Sequence, residues 1–147
     1  MLVSGRALRV TGGDGVSRAA TVERADRADD LALLRAPGVG GPANRGRTPS
    51  GAPAGAGMRL LMRRDGRATA LRVVLRRRIE ATVGQAGAPP SGPRPALELA
   101  ATVAPGDSGA PVLDGDGTVI GVVFARSSTR AGIAYAVDVA ALGPRRR

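Results

Sequence analysis

Apolar and polar residues alternate along this chain in short runs, and glycine, proline and aspartate interrupt those runs too often for long helices. No stretch carries apolar residues at the i, i+3, i+4, i+7 spacing of an amphipathic helix, so the pattern predicts a mostly β protein. Residues 6–11 (RALRVT) alternate, 12–15 (GGDG) form a turn, and 16–23 resume the extended pattern, which predicts a hairpin. Residues 30–35 (DLALLR) are a short, nearly continuous apolar strand, as expected where both faces are covered.

From 36 to 57 the chain is dense in Gly and Pro and nearly free of large apolar residues, the composition of a mobile connector between two halves. Strands are predicted over 58–62 and 68–83 around a turn at Arg64-Asp65-Gly66. In the second of these, Arg72, Arg76 and Arg78 share one parity and Val73, Leu75 and Ile79 the other, as a half-exposed strand requires. A Pro/Gly loop at 84–95 leads to a strand at 96–102. Then come a loop at 103–110 (VAPGDSGA), a strand at 111–113, a DGDG turn at 114–117 and a buried strand at 118–125. A loop at 127–131, a final strand at 132–137 and an Arg tail complete the pattern. The expected division is a first β segment at 1–40, a Gly/Pro-rich connector at 41–57, a longer β segment at 58–142 and a basic tail at 143–147.

Composition changes this picture in three ways. Aromatics are 1% of the chain, Tyr135 and Phe124 alone, so the core must be built from Val, Leu, Ile and Ala, which suit sheets. The net charge of +10 comes from 22 basic residues, all of them Arg. Uniform Arg beside abundant Ala, Gly and Pro is the mark of GC-rich coding, so charge alone is weak evidence for an anionic partner. The clusters Arg76-Arg77-Arg78 and Arg145-Arg146-Arg147 could contact phosphates, but no stacking aromatics or nucleic-acid motif accompany them, and they are read as a solvated strand face and a frayed tail. Finally, there is no Cys and no His, which excludes disulfides and thiolate catalysis and leaves no usual set of zinc ligands. As written the chain has no apolar run near 18 residues and no secretion leader, and no cofactor is expected.

Gly106-Asp107-Ser108-Gly109 taken alone is an ordinary turn tetrapeptide. Its context is more specific: an apolar strand leads in, Ala-Pro-Val-Leu-Asp follows, then the DGDG hairpin and the strand Val119-Ile120-Gly121-Val122-Val123. This run, 104–125, resembles the nucleophile region of trypsin-like serine peptidases, closest to the bacterial HtrA/Deg and related actinobacterial branches. A second match, Asp29-Asp30-Leu31-Ala32-Leu33-Leu34, resembles the strand whose leading Asp orients the triad histidine, and it precedes Ser108 as the family's chain order requires.

The resemblance implies an all-β, chymotrypsin-like double β-barrel with an incomplete N-terminal barrel, acting on peptide or protein substrates outside the cytoplasm or tethered to a membrane. It makes Ser108 the nucleophile, the N–H groups of Gly106 and Ser108 the oxyanion hole, and Asp30 the triad carboxylate, with Asp29 taking its place if the strand slips by one residue. It lines the substrate site with 123–127 and 132–137, giving Ala125, Arg126, Ser127 and Ile133 as pocket residues, Ile133 crowding the pocket toward a small aliphatic side chain. Asp107 stands where the HtrA branch often has Asn, and where digestive relatives pair an Asp with a processed N-terminal amine. Here an Arg or solvent must meet its charge if it is buried. Asp114 and Asp116 mimic a calcium loop only in part and are read as a β-turn.

One part is missing. A serine hydroxyl is a poor nucleophile without a neighbouring base, and this chain offers neither His nor Lys. The family's His lies a few dozen residues before the triad Asp, which would fall ahead of Met1. The expectation is therefore a peptidase truncated before its His and inactive as written. The alternatives are a pseudopeptidase that binds or scaffolds peptides and an Arg-rich nucleic-acid-binding protein. Missing strands would leave unpaired edges and exposed apolar surface on the first half, open to self-association.

Overall fold

The computed structural model describes residues 7–40, 51–82 and 92–142. The Arg145–Arg147 cluster, residues 41–50 of the expected connector and residues 84–91 of the expected Pro/Gly loop lie outside the described residues. The chain divides into two compact units, 1–43 and 44–147.

The first unit is an antiparallel three-stranded sheet in the order β1 (Leu8–Thr11), β2 (Ser17–Asp26), β3 (Leu31–Arg35). The predicted β1–β2 hairpin forms, its turn closed by Gly15 N–H donating to Gly12 O and by the Asp14 carboxylate accepting from Val16 N and from Arg18. β2 extends three residues further than expected and carries a bulge between Val22 and Arg24. β3 begins at Leu31, so Asp30 ends a turn instead of leading the strand, with φ 55°. Leu33 is 58% exposed, so this strand's apolar run is not covered on both faces as expected.

The second unit is a closed barrel in the order β4-β5-β6-β9-β8-β7. Its strands are β4 (Gly57–Arg64), β5 (Arg67–Ala81), β6 (Arg94–Ala100), β7 (Pro111–Leu113), β8 (Val119–Arg126) and β9 (Ile133–Asp138), followed by a short 3-10 turn at Val139–Leu142. Asp65 and Gly66, both at positive φ, form a two-residue turn between β4 and β5 of the kind that matches strand twist. Alternate side chains point inward: Met58, Leu60 and Met62 from β4, Val73 and Leu75 from β5, Leu97 and Leu99 from β6, Val112, Ile120, Val123, Ala134 and Ala136 from the rest. Full burial of each Leu is worth about 1.5–3 kcal/mol, which makes this core the main source of the unit's stability.

The predicted parity of β5 holds only as far as Leu75. A bulge between Leu75 and Arg77 places Arg77 opposite Glu98 and Ile79 opposite Ala96, so Ile79 leaves the core face. The Arg run is also not a freely solvated face. Arg76 and Arg77, with Arg130, converge on the buried Glu98, while Arg78 pairs with the buried Asp138 at 2.9 Å and donates to Ala52 O. No helix among the described residues is long and apolar enough to cross a membrane.

Candidate active site

Loop 104–110 joins β6 to β7, and its shape follows from one carboxylate. Asp107 is 6% exposed, and its Oδ2 accepts from Ala104 N at 2.8 Å and from Arg64 Nη2 at 2.7 Å. The Asp107 N–H donates to Ala104 O, and the Ala110 N–H donates to Asp107 O. These bonds pull the chain into a tight double turn that needs positive φ at Gly106 (96°) and Gly109 (89°), a region costly for any residue with a Cβ. Two more bonds fasten the loop to β8: Gly109 N–H to Val123 O at 2.8 Å and Val123 N–H to Ala110 O at 2.9 Å.

The outcome is a serine raised above a sealed acid. Ser108 is exposed while Asp107 beneath it is buried. Neither Gly106 N–H nor Ser108 N–H finds an acceptor among the described residues. The hydrogen bond from Arg64, with that from Ala104, holds the Asp107 carboxyl below the usual carboxylate range against the opposing effect of burial.

Ser108 and Gly106 line a cavity of about 360 Å³ with Asp107, Ala110 and Pro111. The β4–β5 hairpin supplies the facing wall through Leu61, Met62, Arg63 and Ala68. Sequence reasoning missed that wall. The requirement for a cation at Asp107 was readable, but with 22 arginines nothing in the sequence singled out Arg64.

Ala125, Arg126 and Ser127 line a different cavity, about 440 Å³, together with Ile79, Phe124, Thr129 and Tyr135. Both aromatic rings of the chain are in this wall. Ile133 is not among its lining residues. It is 6% exposed, on the same parity as Tyr135 and Val137 and opposite to the core residues Ala134 and Ala136. The structure thus brings Gly106 and Ser108 together and places Ala125, Arg126 and Ser127 in a second wall. Ser127 is pinned by its N–H to Ile133 O, and its hydroxyl accepts from Arg130 N. The ladder between β7 and β8 ends at Pro111–Val122, whereas β8 continues on β9 to Arg126, so among the described residues Phe124–Arg126 have a sheet partner on one side only.

Asp29 and Asp30 belong to the first unit. Both sit in the turn after β2, where Asp26 Oδ1 accepts from the N–H groups of Ala28 and Asp29. Asp30 is exposed and Asp29 half-buried. At 114–117 the Asp114 Oδ1 accepts from Asp116 N and Thr118 N, the bonding of a turn. Among the described residues no cluster of three acidic, His or Cys side chains could hold a metal ion.

An open sheet in one unit, a closed six-stranded antiparallel barrel in the other and a Gly-Asp-Ser-Gly loop at the barrel's rim define the chymotrypsin-like class. Residues 3–122 match the family model described as a trypsin-like peptidase domain, and the chain belongs to that family. Among solved structures it is similar to the active form of the Rv3671c protease from M. tuberculosis, with 27% identity and a TM-score of 0.78 over 91% of this chain and 59% of that one. The inactive form of that protease matches at 29% identity and TM-score 0.76, over 94% of this chain and 70% of that one. An HtrA-type protease, AlgW with a bound decapeptide, shares the fold at 22% identity and TM-score 0.65, over 89% of this chain and 40% of that one. The chain therefore spans about 59% of the Rv3671c protease in its active form. No curated protein matches it in sequence.

Proposed function

We propose that this chain carries the nucleophile half of a serine endopeptidase site: Ser108 attacks a peptide carbonyl, and the N–H groups of Gly106 and Ser108 receive the developing oxyanion. The observation that carries the reading is an exposed Ser108 beside a buried, paired Asp107, with two neighbouring N–H groups that find no acceptor among the described residues. Each such donor contributes about 10²–10³ in rate where it meets the oxyanion. By the family resemblance Asp30, or Asp29 beside it, takes the role of the triad carboxylate, whose partner base these 147 residues do not supply. The one-sided edge at Phe124–Arg126 suits an extended peptide adding as a strand, with Ala125, Arg126 and Ser127 beside it.

In the complete reaction Ser108 Oγ bonds to the carbonyl carbon, its proton passes through a base to the leaving amine, and water then releases the acyl group. The 147 residues contain no histidine to take that proton. In a comparable triad, losing the base costs about 10⁶ in turnover, so this chain by itself is at most residually active. The same absence favours a second reading, a pseudopeptidase that binds peptides without cleaving them.

A peptidyl boronate tests the nucleophile without needing turnover. Its boron accepts the Ser108 oxygen, the hydroxyl proton leaves to buffer, and the tetrahedral adduct places a boron-bound oxygen where the oxyanion would sit. The full chain should bind a small aliphatic peptidyl boronate at least about tenfold more tightly than the Ser108→Ala variant, the span of one well-placed covalent or donor contact being larger than this. Equal affinity would remove Ser108 from the site. Binding of the boron-free peptide with no boronate advantage would favour the pseudopeptidase.

A further inference from the structure

Four strands of the barrel each give one residue to a common outer row. Arg77 stands opposite Glu98, Glu98 opposite Tyr135, and Tyr135 opposite Ala125, across β5, β6, β9 and β8. Opposed residues of antiparallel strands share a face, so these side chains stand in line, one strand spacing of about 4.7–4.9 Å apart. The row is electrically unbalanced. Arg130 forks its two Nη groups onto the Glu98 carboxylate, Arg76 Nε lies 3.3 Å from Glu98 Oε1, and Arg77 Nη2 lies 3.2 Å from Glu98 Oε2. Arg130 Nη2 also donates to the Tyr135 hydroxyl at 2.9 Å. Three positive charges thus meet a single negative one. The Glu98 side chain is 1% exposed, whereas those of Arg76, Arg77 and Arg130 are 52%, 61% and 42% exposed. The carboxylate is sealed against the barrel while the guanidiniums it holds remain open to a second anion from outside.

At its other end the row stops at Ala125, which among the described residues has a sheet partner on the β9 side only. Ala125 and Tyr135 both line the cavity of about 440 Å³, and the loop that carries Arg130 borders it through Ser127, Ser128 and Thr129. Arg130 is fixed to that loop by its own N–H, which donates to Ser127 Oγ. Among the described residues lining this cavity there is no carboxylate, and the charged one is Arg126. Glu80 of β5 has the parity opposite to Ile79 and Ala81, which do line it.

We propose that this barrel edge selects peptides that carry an acidic side chain opposite Ala125. A strand added at Phe124–Arg126 puts one of its residues in the fifth place of the row. The small Ala125 side chain lets a Glu carboxylate in that place reach across the cavity toward the Tyr135 hydroxyl and the Arg130 guanidinium, where its charge offsets the excess around Glu98. The peptide residues on either side of it point to the other face of the added strand, away from the row, and carry no such preference. This rests on the reading of Phe124–Arg126 as an edge to which a peptide adds, and it names the class of peptide taken there.

The test uses peptidyl boronates of alanine ending in the boron analogue of valine, with a single Glu or Gln at the second, third, fourth or fifth residue from the boron. Kd is measured for the full chain, for Ser108→Ala, for Arg130→Gln and Arg77→Gln, and for Arg59→Gln on β4, outside the row. At one position the Glu peptide should bind the parent about tenfold more tightly than its Gln counterpart, the size of one charge-assisted hydrogen bond, and at adjacent positions the ratio should stay within about twofold. Added salt should shrink the preference. Arg130→Gln should reduce the ratio to about twofold or less, Arg77→Gln should reduce it in part, and Arg59→Gln should leave it as in the parent. Should Arg130→Gln fail to fold, Arg77→Gln carries the comparison, its side chain being the most exposed of the three. The proposal is overturned if Glu and Gln peptides bind alike at every position, or if folded Arg130→Gln keeps the parent's ratio. Equal preference for Glu at all four positions also overturns it, since that is attraction to the overall charge of +10. Each of these results leaves the nucleophile reading standing as long as the parent binds the boronates more tightly than Ser108→Ala does. Equal binding by those two proteins removes the nucleophile reading alone, because the ratio of Glu to Gln peptides is still read in both. Absence of any binding removes the edge reading and this proposal with it.

Discussion

Glu98 and Asp107, two of the buried carboxylates that arginines hold in the barrel unit, respond to acid in a definite direction. Glu98, 1% exposed, is held below its ordinary value of 4.5, first by the Arg130 hydrogen bond and then by Arg77, against burial. Asp107 is held below its ordinary 3.8, first by Arg64 and then by the Ala104 N–H. In both, the folded state binds fewer protons than the unfolded one. Their contribution is therefore full above the ordinary carboxylate values and is lost as pH falls through the lowered folded values. Thermal melts should show stability declining as pH drops below about 4, and Glu98→Gln should flatten that decline. At pH 7 the same variant should cost about 1–3 kcal/mol, the range for removing a charged acceptor whose partners can reach water. A decline no steeper in the parent than in Glu98→Gln would contradict this account. These carboxylates also mark the limit of the sequence. Glu98 stands between Leu97 and Leu99 and reads as the polar position of an alternating strand, and nothing local says that three arginines will close over it.

Elements were more legible than residues, because strand parity and turn chemistry are local. The hairpins around 12–15, 64–66 and 114–117 stood out through Gly and Asp, and all three form. The miss at β5 has a specific cause. Its bulge falls within Arg76-Arg77-Arg78, where three identical polar residues give no apolar marker of which face each occupies. Likewise β3 looked like a doubly covered strand from its leucines, although burial depends on what packs above it. Close packing at one strand crossing yields a sharper prediction. A Cβ on Gly121 would meet Leu97 Cδ1 at 2.9 Å, Val137 O at 3.0 Å and Ala136 Cβ at 3.2 Å. Gly121→Ala should destabilise the barrel by about 1–3 kcal/mol, the usual cost of overpacking, and a denaturant melt unchanged from the parent would refute it.

At the scale of the whole molecule, the barrel unit closes on itself while the first unit does not. The edges of β1 and β3 that face away from β2 have no strand partner among the described residues. Leu33 and Val22 are exposed on the same sheet, at 58% and 41%. Open edges with apolar side chains favour pairing between chains. Sedimentation should show association that grows with protein concentration, and Leu33→Lys should reduce it. A parent that stays monomeric across that range would argue against it. The basic charge has a partly internal use, since Arg64, Arg76, Arg77, Arg78 and Arg130 all face buried carboxylates. The central proposal concerns the loop at 104–110, where an exposed Ser108 lies beside two N–H groups that find no acceptor among the described residues, in a chain of 147 residues that contains no histidine. Titration of the full chain and of Ser108→Ala with a peptidyl boronate tests it most directly. The account predicts binding at least about tenfold tighter in the parent, with no measurable peptide hydrolysis by either protein. Equal boronate affinity in the two proteins would contradict it.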